Sequence, residues 1–273
     1  MMPHQLNWQE ICQMIPKRKA DAQKGDFGRL LCITGSRNMP GACLLSTQAA
    51  LRGGAGLVTV ATAPENPMRL AAAAPEAMWL PLETDEAGFL RSSDQNRKTL
   101  EKQLSRANAV LLGCGLGVTE ETRRLVHWVL EQAVCPVVLD ADGLNCAVSC
   151  IELSRRTGKD WILTPHPGEM ARLTGHSIPQ IQENRVETAT QFAAAYPVTL
   201  ALKGAGTLVA QRSRLAQNPT GNPGMSRGGS GDVLAGLIAA FAAQGIPSWE
   251  AACAGVYLHG LAGDAAAAAL SQQ

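Results

Sequence analysis

The chain has 273 residues, of which 46% are hydrophobic and 17% are charged, and its formal net charge is +1 at pH 7. This length suits one large α/β domain, and the near-neutral charge gives no basic face of the kind that nucleic-acid-binding proteins carry, so we expect a small-molecule partner. The first residues lack the apolar core of a signal peptide, and no stretch of about 18 residues is continuously apolar. We therefore expect no membrane contact and a cytoplasmic location, with the eight scattered cysteines as free, mostly buried thiols.

Short apolar runs alternate with helical patterns along the chain. Strands are predicted at residues 28–34, 57–62, 78–82, 109–112, 137–140, 161–164 and 198–202. Helices are predicted at residues 42–52, 66–74, 94–104, 120–132, 179–195, 233–243 and 248–270. Two short extended pieces meet at Arg212 and Ser213, and we expect a hairpin there that closes one edge of the sheet. This order predicts a three-layer αβα architecture with a central, mostly parallel sheet, and we expect residues 1–273 to form a single domain.

The densest glycine cluster is Asn-Pro-Gly-Met-Ser-Arg-Gly-Gly-Ser-Gly-Asp, which ends at Asp232 just before a predicted helix. Glycines let backbone N–H groups converge, and a helix N-terminus carries partial positive charge, so this segment favours an anion such as phosphate. The same dipole is expected to keep Asp232 ionised at neutral pH and able to accept a proton. The cluster predicts a phosphoryl-transfer site, and a glycine-rich turn with Asp232 as an ordinary helix cap is the alternative.

A second glycine-rich loop, Gly113-Cys114-Gly115-Leu116-Gly117, follows a predicted strand. It is superficially similar to a dinucleotide-binding fingerprint, but Val118 occupies the place of the third glycine, so we favour a loop that lets a substrate approach the backbone. No stretch matches the P-loop pattern, which excludes that class of enzyme. After the next strand, Asp140 and Asp142 could bind ribose hydroxyls or metal-bound water; a plain loop with Asp142 capping the next helix is the alternative.

The segment Thr164-Pro-His-Pro-Gly-Glu ends one strand and begins a helix. His166 and Glu169 can both face the C-terminal edge of the sheet, where ligands bind in open α/β folds. Glu169 could hold the water shell of a magnesium ion. A plain helix start, with Pro167 in the first turn and Glu169 as a favourable charge at the dipole, explains the same spacing.

A third motif, Lys203-Gly-Ala-Gly-Thr, lies between two predicted strands. Its glycines permit a tight turn, its main chain could cover a nucleotide, and Lys203 supplies a point charge for phosphate. Near the first strand, residues 24–28 and 39–42 form similar motifs, and the helix start around Ala42 could receive a second substrate.

Taken together, these motifs resemble those of the ADP- or ATP-dependent NAD(P)H-hydrate dehydratases, which belong to the ribokinase-like superfamily. The resemblance extends from about Gly25 to Gly263. It implies a repair enzyme that restores NADH or NADPH from the S form of the cofactor hydrated at C6. The hydroxyl would be phosphorylated by ADP or ATP with magnesium, and phosphate would then be eliminated. The epimerase often fused to this domain has no room in the chain, so we expect a separate epimerase; such relatives are often tetramers, and we expect a homo-oligomer.

The resemblance also implies individual roles. Asp232 would accept the hydroxyl proton, while the backbone N–H groups of Gly229, Ser230 and Gly231 stabilise the transferring phosphoryl group. The residues implied for binding the nucleotide are Lys203, Gly204, Ala205, Gly206, Thr207 and Gly231. The residues implied for binding the hydrated cofactor are Ala42, Gly115, Gly117, His166 and Asp232. Glu169 would associate with magnesium through water. The chain departs from the family at Cys114, where proline is common, and at Arg227, which could point to the nucleotide phosphates or to solvent.

Three other functions remain open at this point. A kinase of a small alcohol within the same superfamily would use the same acid and the same glycine-rich corner, and would accumulate a stable phosphorylated product. A nucleotide-binding scaffold without chemistry would not turn over, and an NAD-dependent oxidoreductase would work without adenine nucleotide.

Overall fold

The computed structural model describes residues 2–152, 154–155 and 160–272. Within this part of the chain, ten strands form one sheet in the order β1-β10-β9-β8-β7-β6-β5-β2-β3-β4. The strands are β1 (His4–Gln5), β2 (Arg29–Ile33), β3 (Leu57–Thr62), β4 (Met78–Pro81), β5 (Ala109–Leu112), β6 (Val137–Leu139), β7 (Trp161–Leu163), β8 (Val198–Leu202), β9 (Leu208–Gln211) and β10 (Arg214–Gln217). All neighbours are parallel except β9, which is antiparallel to both β8 and β10.

Helices cover both faces of this sheet. They are α1 (Trp8–Met14), α2 (Pro40–Arg52), α3 (Asn66–Leu70), α4 (Asp94–Leu104), α5 (Glu120–Gln132), α6 (Asp142–Ala147), α7 (Pro167–Thr174), α8 (Ile178–Glu183), α9 (Arg185–Ala195), α10 (Ser230–Ala243) and α11 (Ser248–Leu270). Three short 3-10 helices lie at Lys24–Phe27, Val148–Cys150 and Pro223–Met225. Together with the sheet, these helices form the predicted three-layer αβα architecture.

Two hydrophobic clusters lie on opposite sides of the sheet, because successive strand residues point to opposite faces. In β2, Leu30 belongs to the cluster formed with α2, α10 and α11, whereas Leu31 belongs to the cluster formed with α4, α5 and α9. Glycine brings α10 close to α2: a methyl group built on Gly236 would lie 2.2 Å from the backbone oxygen of Ser46. Glycine at position 236 thus lets α10 pack closely against α2.

Most predicted elements are present, and three differ from the prediction. The hairpin of β9 and β10 turns at Arg212, whose φ is 52°, but it does not close the edge of the sheet, because β1 pairs in parallel with β10. The helix predicted at residues 179–195 is two helices, α8 and α9, separated at Asn184, whose ψ of 39° interrupts the helical backbone. The helix predicted at residues 66–74 ends early, at Leu70.

The expectations about membranes and thiols can also be examined in the described residues. None of the helices there is long and apolar enough to cross a membrane. The eight cysteines form no disulfide bonds, and six of them are buried; Cys12 is exposed and Cys135 is half-buried.

Candidate active site

Four loops meet at the carboxyl edge of the parallel strands, with Asp140 at their centre. Asp140 follows β6 and is 1% exposed. Its Oδ1 accepts hydrogen bonds from the Lys203 ammonium at 2.6 Å and from the Thr164 hydroxyl at 2.7 Å. Its Oδ2 accepts from the Cys114 thiol at 3.8 Å. One buried carboxylate therefore ties together the loops after β5, β6, β7 and β8.

The start of α10 faces this centre, and we call its residues Gly229, Ser230, Gly231 and Asp232 the anion corner. Gly229 is the N-cap residue and has a φ of 90°, a left-handed conformation that glycine adopts without steric strain. No side chain accepts a hydrogen bond from the first turn of this helix. The Ser230 N–H donates to the carbonyl oxygen of Arg227 at 3.4 Å. In the described part of the chain, the N–H groups of Gly231 and Asp232 have no acceptor, so they and the positive end of the helix dipole are available to an anion.

Asp232 is the third residue of α10 and lies beside Asp140 and Cys114. One side-chain atom from each of these three residues lies within 4.8 Å of the other two. Burial, and after it the charge of Asp140, raises the pKa of Asp232 to about 6. The dipole argument predicts easy ionisation, but desolvation outweighs the dipole. Asp232 is thus a weaker acid than expected, still ionised at pH 7, and well matched to accept a proton near neutral pH.

Lys203 supplies the cation next to the anion corner. Besides its ion pair with Asp140, its Nζ lies 3.8 Å from Oε2 of Glu169. Burial lowers the pKa of the Lys203 ammonium, but the charges of Asp140 and Glu169 outweigh burial and the pKa is raised overall. A methyl group built on Gly231 would lie only 3.3 Å from Nζ. The predicted nucleotide motif and the anion corner are therefore adjacent in the fold.

Arg185, at the start of α9, holds the backbone of the loop at residues 203–207. Its guanidinium donates to the carbonyl oxygens of Leu202, Lys203 and Gly206 at 3.2, 3.3 and 3.4 Å. Gly204, with a φ of 146°, has no room for a side chain, because a methyl group there would lie 2.1 Å from an Arg185 nitrogen. Arg185 was not predicted from the sequence, because it lies 18 residues before Lys203 and belongs to no local motif.

The remaining residues of this loop are more open to solvent. Gly204 and Ala205 are exposed at its tip, and Thr207 is half-buried. The Thr207 hydroxyl donates to the carbonyl oxygen of Gly204 at 3.0 Å, and its own carbonyl accepts from Asn218 at 2.9 Å. The loop is therefore fixed at both ends, with its tip free to contact a ligand.

Two of the residues implied for the hydrated cofactor, Ala42 and Gly115, lie together at the start of α2, whereas His166 lies at the start of α7. Ala42 is buried in the first turn of α2, and a methyl group built on Gly115 would lie 2.9 Å from its Cβ. The N–H of Gly117 donates to Oδ2 of Asp142 at 2.7 Å. Asp142 is the first residue of α6 and Ala141 is its N-cap, so the capping role considered for Asp142 is wrong and this carboxylate instead holds the glycine loop.

His166 and Glu169 form a capping box at the start of α7. His166 Nδ1 accepts from the N–H groups of Gly168 at 2.9 Å and Glu169 at 3.4 Å, while Oε2 of Glu169 accepts from the N–H of His166 at 2.7 Å. Burial, with a smaller contribution from Lys203, lowers the pKa of His166. Burial, partly offset by Lys203, raises the pKa of Glu169 to about 7. Both residues therefore cap the start of α7, as the alternative in the sequence analysis predicts. Both also lie at the carboxyl edge of the sheet, where ligands bind in open α/β folds.

Two other residues complete the description of this edge. The side chain of Arg227 is exposed, and its contact with nucleotide phosphates stays a prediction. His259, on α11, is half-buried, and its pKa is lowered by burial and by the nearby Lys203 charge. Our sequence analysis did not select His259, because a lone histidine in an apolar helix is most often part of a core.

Comparison with known proteins identifies the family. A family model described as NAD(P)H-hydrate dehydratase matches residues 30–272. The chain belongs to the NAD(P)H-hydrate dehydratase family. This confirms the resemblance that the motifs predict, and the matched residues include every loop of the edge described above.

Individual members of the family differ in length. A bifunctional NAD(P)H-hydrate repair enzyme of Moorella thermoacetica is 42% identical over 93% of this chain and 48% of its own length. An ADP-dependent (S)-NAD(P)H-hydrate dehydratase of Neisseria meningitidis is 38% identical over 90% of this chain and 80% of its own. The chain thus spans about half the length of the bifunctional relatives it matches.

Solved structures give the same assignment of fold. The ADP/ATP-dependent NAD(P)H-hydrate dehydratase from Bacillus subtilis, co-crystallized with ATP/Mg2+, has a TM-score of 0.80 and 31% identity, over 99% of this chain and 92% of that one. A ribokinase-like superfamily protein from Enterococcus faecalis has a TM-score of 0.83 and 30% identity, over 97% of this chain and 88% of that one. The ribokinase-like fold predicted for this family member is thereby confirmed.

Proposed function

We propose that this chain is a nicotinamide-cofactor repair lyase that dehydrates the S form of C6-hydrated NADH or NADPH at the expense of ADP or ATP. The observation that carries the proposal is the uncapped start of α10, with Asp232 in its first turn and the Lys203 ammonium beside it. Family membership supports the substrate class, since the Neisseria relative is named for the S hydrate and for ADP.

Asp232 acts as the general base of the phosphoryl transfer. Its carboxylate accepts the proton of the C6 hydroxyl as that oxygen attacks the terminal phosphorus, and AMP or ADP leaves. The N–H groups of Gly229, Ser230 and Gly231 stabilise the charge on the transferring group. Phosphate then leaves from C6 with the C–O bonding electrons while the ring nitrogen lone pair forms a double bond to C6. Loss of a proton from C5 to water gives the reduced cofactor, so the reaction yields NAD(P)H, phosphate and AMP or ADP.

The nucleotide is held by Lys203, Gly204, Ala205, Gly206, Thr207 and Gly231. Arg185 fixes the shape of this loop from behind through its three carbonyl contacts. Lys203 lies between the loop and the anion corner, so it can attract the phosphates while the loop covers the rest of the nucleotide. Ala42, Gly115, Gly117 and His166, with Asp232, line the side where the hydrated cofactor binds.

We propose that magnesium enters this site with the nucleotide. Bound to the phosphates, it would neutralise part of their charge. Glu169 is the protein group nearest to this role, but one of its oxygens accepts from the His166 N–H and the Lys203 ammonium lies 3.8 Å from that oxygen. We therefore propose that Glu169 reaches the ion through water rather than as a direct ligand.

The test is an assay of chemically hydrated NADH with ADP and ATP in parallel. Release of free phosphate together with recovered absorbance of the reduced nicotinamide supports the lyase. Accumulation of a stable phosphorylated product supports a kinase of a small alcohol. If neither phosphate nor a phosphorylated product is formed, the result supports a scaffold without catalytic activity. Absorbance changes that need no adenine nucleotide point to an oxidoreductase.

The proposal extends to the cellular setting. Eight cysteines without disulfide bonds suit the reducing cytoplasm. We propose that the enzyme is a homo-oligomer and relies on a separate epimerase for the R form. A mixture of R and S hydrates should be only about half consumed by this chain alone and fully consumed once an epimerase is added. Light scattering after size exclusion measures the oligomeric state, and a monomer contradicts that part of the proposal.

A further inference from the structure

The thiol of Cys114 occupies an unusual position for a cysteine side chain. The residue is fully buried, and its backbone is fixed because its carbonyl oxygen accepts from the N–H of Gly35 at 2.8 Å. Its sulfur lies between the carboxylates of Asp140 and Asp232, within 4.8 Å of an oxygen of each. The thiol therefore stands next to the proposed general base without being exposed to solvent.

The hydrogen-bond inventory around Asp140 shows what this thiol contributes. Oδ1 of Asp140 already has two donors, Lys203 and Thr164. Oδ2 has only the Cys114 thiol among the hydrogen bonds in the described residues. A thiol carries one hydrogen, so it can donate either to Asp140 or to Asp232, but not to both at once.

In this structure the Cys114 thiol donates to Oδ2 of Asp140, with Asp232 within reach. We propose that Cys114 is a positioning residue, whose S–H group turns to Asp232 when that carboxylate is ionised and returns to Asp140 when Asp232 accepts a proton. The inference rests on the proposed function, in which Asp232 is the base. When Asp232 is ionised, two negative carboxylates face one thiol. Once Asp232 has accepted the substrate proton, it is neutral and attracts the thiol hydrogen less. The Cys114 thiol then donates its hydrogen bond to Oδ2 of Asp140.

The titratable groups that face Asp232 come from four parts of the fold: Asp140 follows β6, Cys114 follows β5, Lys203 follows β8 and Asp142 begins α6. Burial and the two aspartates raise the pKa of Asp232, whereas the nearby Cys114 thiol as a donor and the Lys203 charge lower it. The thiol can itself stay protonated, because burial and the neighbouring carboxylates raise its own pKa well above the ordinary range. Removing this donor should therefore make Asp232 harder to ionise.

The first test is the pH dependence of kcat/KM for hydrated NADH at saturating ADP. The acidic limb reports the pKa of the base in the free enzyme. In Cys114→Ala this limb should move upward by about 0.5 pH unit, the size expected when one weak donor is lost. In Cys114→Ser, whose hydroxyl is a stronger donor, the limb should stay at or below the wild-type position.

Cys253→Ala is the matched control. Cys253 is also fully buried, but it lies on α11 near Arg214 and Glu250, away from the anion corner. Its truncation costs similar packing and should leave the acidic limb unchanged. An unchanged limb in Cys114→Ala, or equal shifts in Cys114→Ala and Cys253→Ala, would overturn the proposal.

A second measurement needs no turnover and so separates this inference from the proposed function. The S–H stretching band of Cys114 is obtained as the infrared difference between wild type and Cys114→Ser. It should change frequency as the pH passes through about 6, and Asp232→Asn should abolish that change. A band that does not respond to pH refutes the thiol's coupling to Asp232 whether or not the protein dehydrates its substrate.

Discussion

Helices α7 and α10 both begin at the carboxyl edge of the sheet, and their first turns are built in opposite ways. At α7, the imidazole of His166 accepts from two backbone N–H groups, and Glu169 accepts from a third. At α10, the N-cap residue is Gly229, and among the described residues no side chain accepts from the turn. There only the Ser230 N–H has an acceptor, the carbonyl oxygen of Arg227 at 3.4 Å. The first helix satisfies its own donors with side chains, whereas the second leaves those of Gly231 and Asp232 for a ligand.

This difference shows that an anion site can be made by leaving out a cap. Both helix starts have the same dipole, so the dipole alone does not select the ligand position. Lys203 strengthens the distinction: it lies 3.8 Å from Glu169, at the capped helix, and faces Gly231 at the uncapped one. On the α7 side the Lys203 ammonium is close to a carboxylate that balances its charge. On the α10 side it lies beside uncapped N–H groups, so both the ammonium and these donors can bind an anion.

The largest expected effect is at the acid of the uncapped helix. Asp232→Asn should lower kcat by about 10²- to 10⁴-fold, since an amide cannot accept the hydroxyl proton. Nucleotide affinity, measured by calorimetry, should change little, because the backbone donors remain. Asp94→Asn is the matched control: Asp94 is also in the first turn of a helix but is exposed on α4. Full activity of Asp232→Asn would remove Asp232 from the mechanism.

The next largest effect is expected at Lys203, whose ammonium lies between the starts of α7 and α10. Lys203→Met leaves Asp140 buried without its cation, and we expect the free energy of unfolding to fall by about 3 kcal/mol at neutral pH. Adding Asp140→Asn should recover part of this loss, because the unpaired charge is then gone. Urea unfolding of the two single variants and the double variant measures the coupling. Additive losses in the double variant would mean that the ion pair is not what stabilises this edge.

The sequence predicts the layers and most of the loops, because apolar strand runs and glycine motifs are local signals. It could not reveal that Asp140 links four loops, since its partners Cys114, Thr164 and Lys203 lie 26, 24 and 63 residues away. The direction of the Asp232 pKa shift was missed for the same reason: burial and Asp140 act through the fold, whereas the dipole is visible locally. The two-residue strand β1 was missed because it carries no strand pattern of its own.

A smaller effect is expected from adding a methyl group to the uncapped turn. Alanine is favoured over glycine within a helix, so Gly231→Ala should not lower stability. Its methyl group would lie 3.3 Å from Lys203 Nζ, in the space that we propose for a phosphate next to the ammonium. The dissociation constant for ADP, measured by calorimetry, should therefore rise about tenfold, which corresponds to about 1.4 kcal/mol of binding free energy.

Gly228→Ala provides the control for this change. A methyl group built on Gly228 has no atom within 4 Å, so nucleotide affinity should be almost unaffected. Equal weakening by Gly228→Ala and Gly231→Ala would show that the whole turn, rather than the space beside Lys203, determines affinity.

The smallest effect is expected at the capped helix, where His166 has both a structural and a proposed binding role. His166→Ala removes the cap, and we expect a loss of about 1 kcal/mol in the free energy of unfolding. Nucleotide affinity should stay the same, because α7 does not supply the phosphate donors, whereas KM for the hydrated cofactor should rise. His166→Asn separates the two roles, since its side-chain oxygen is a good cap but lacks the imidazole ring. Stability restored in His166→Asn with KM still raised supports a direct contact with substrate. Stability and KM restored together would mean that His166 serves only to hold α7, and weakened nucleotide binding would contradict the contrast between the two helices.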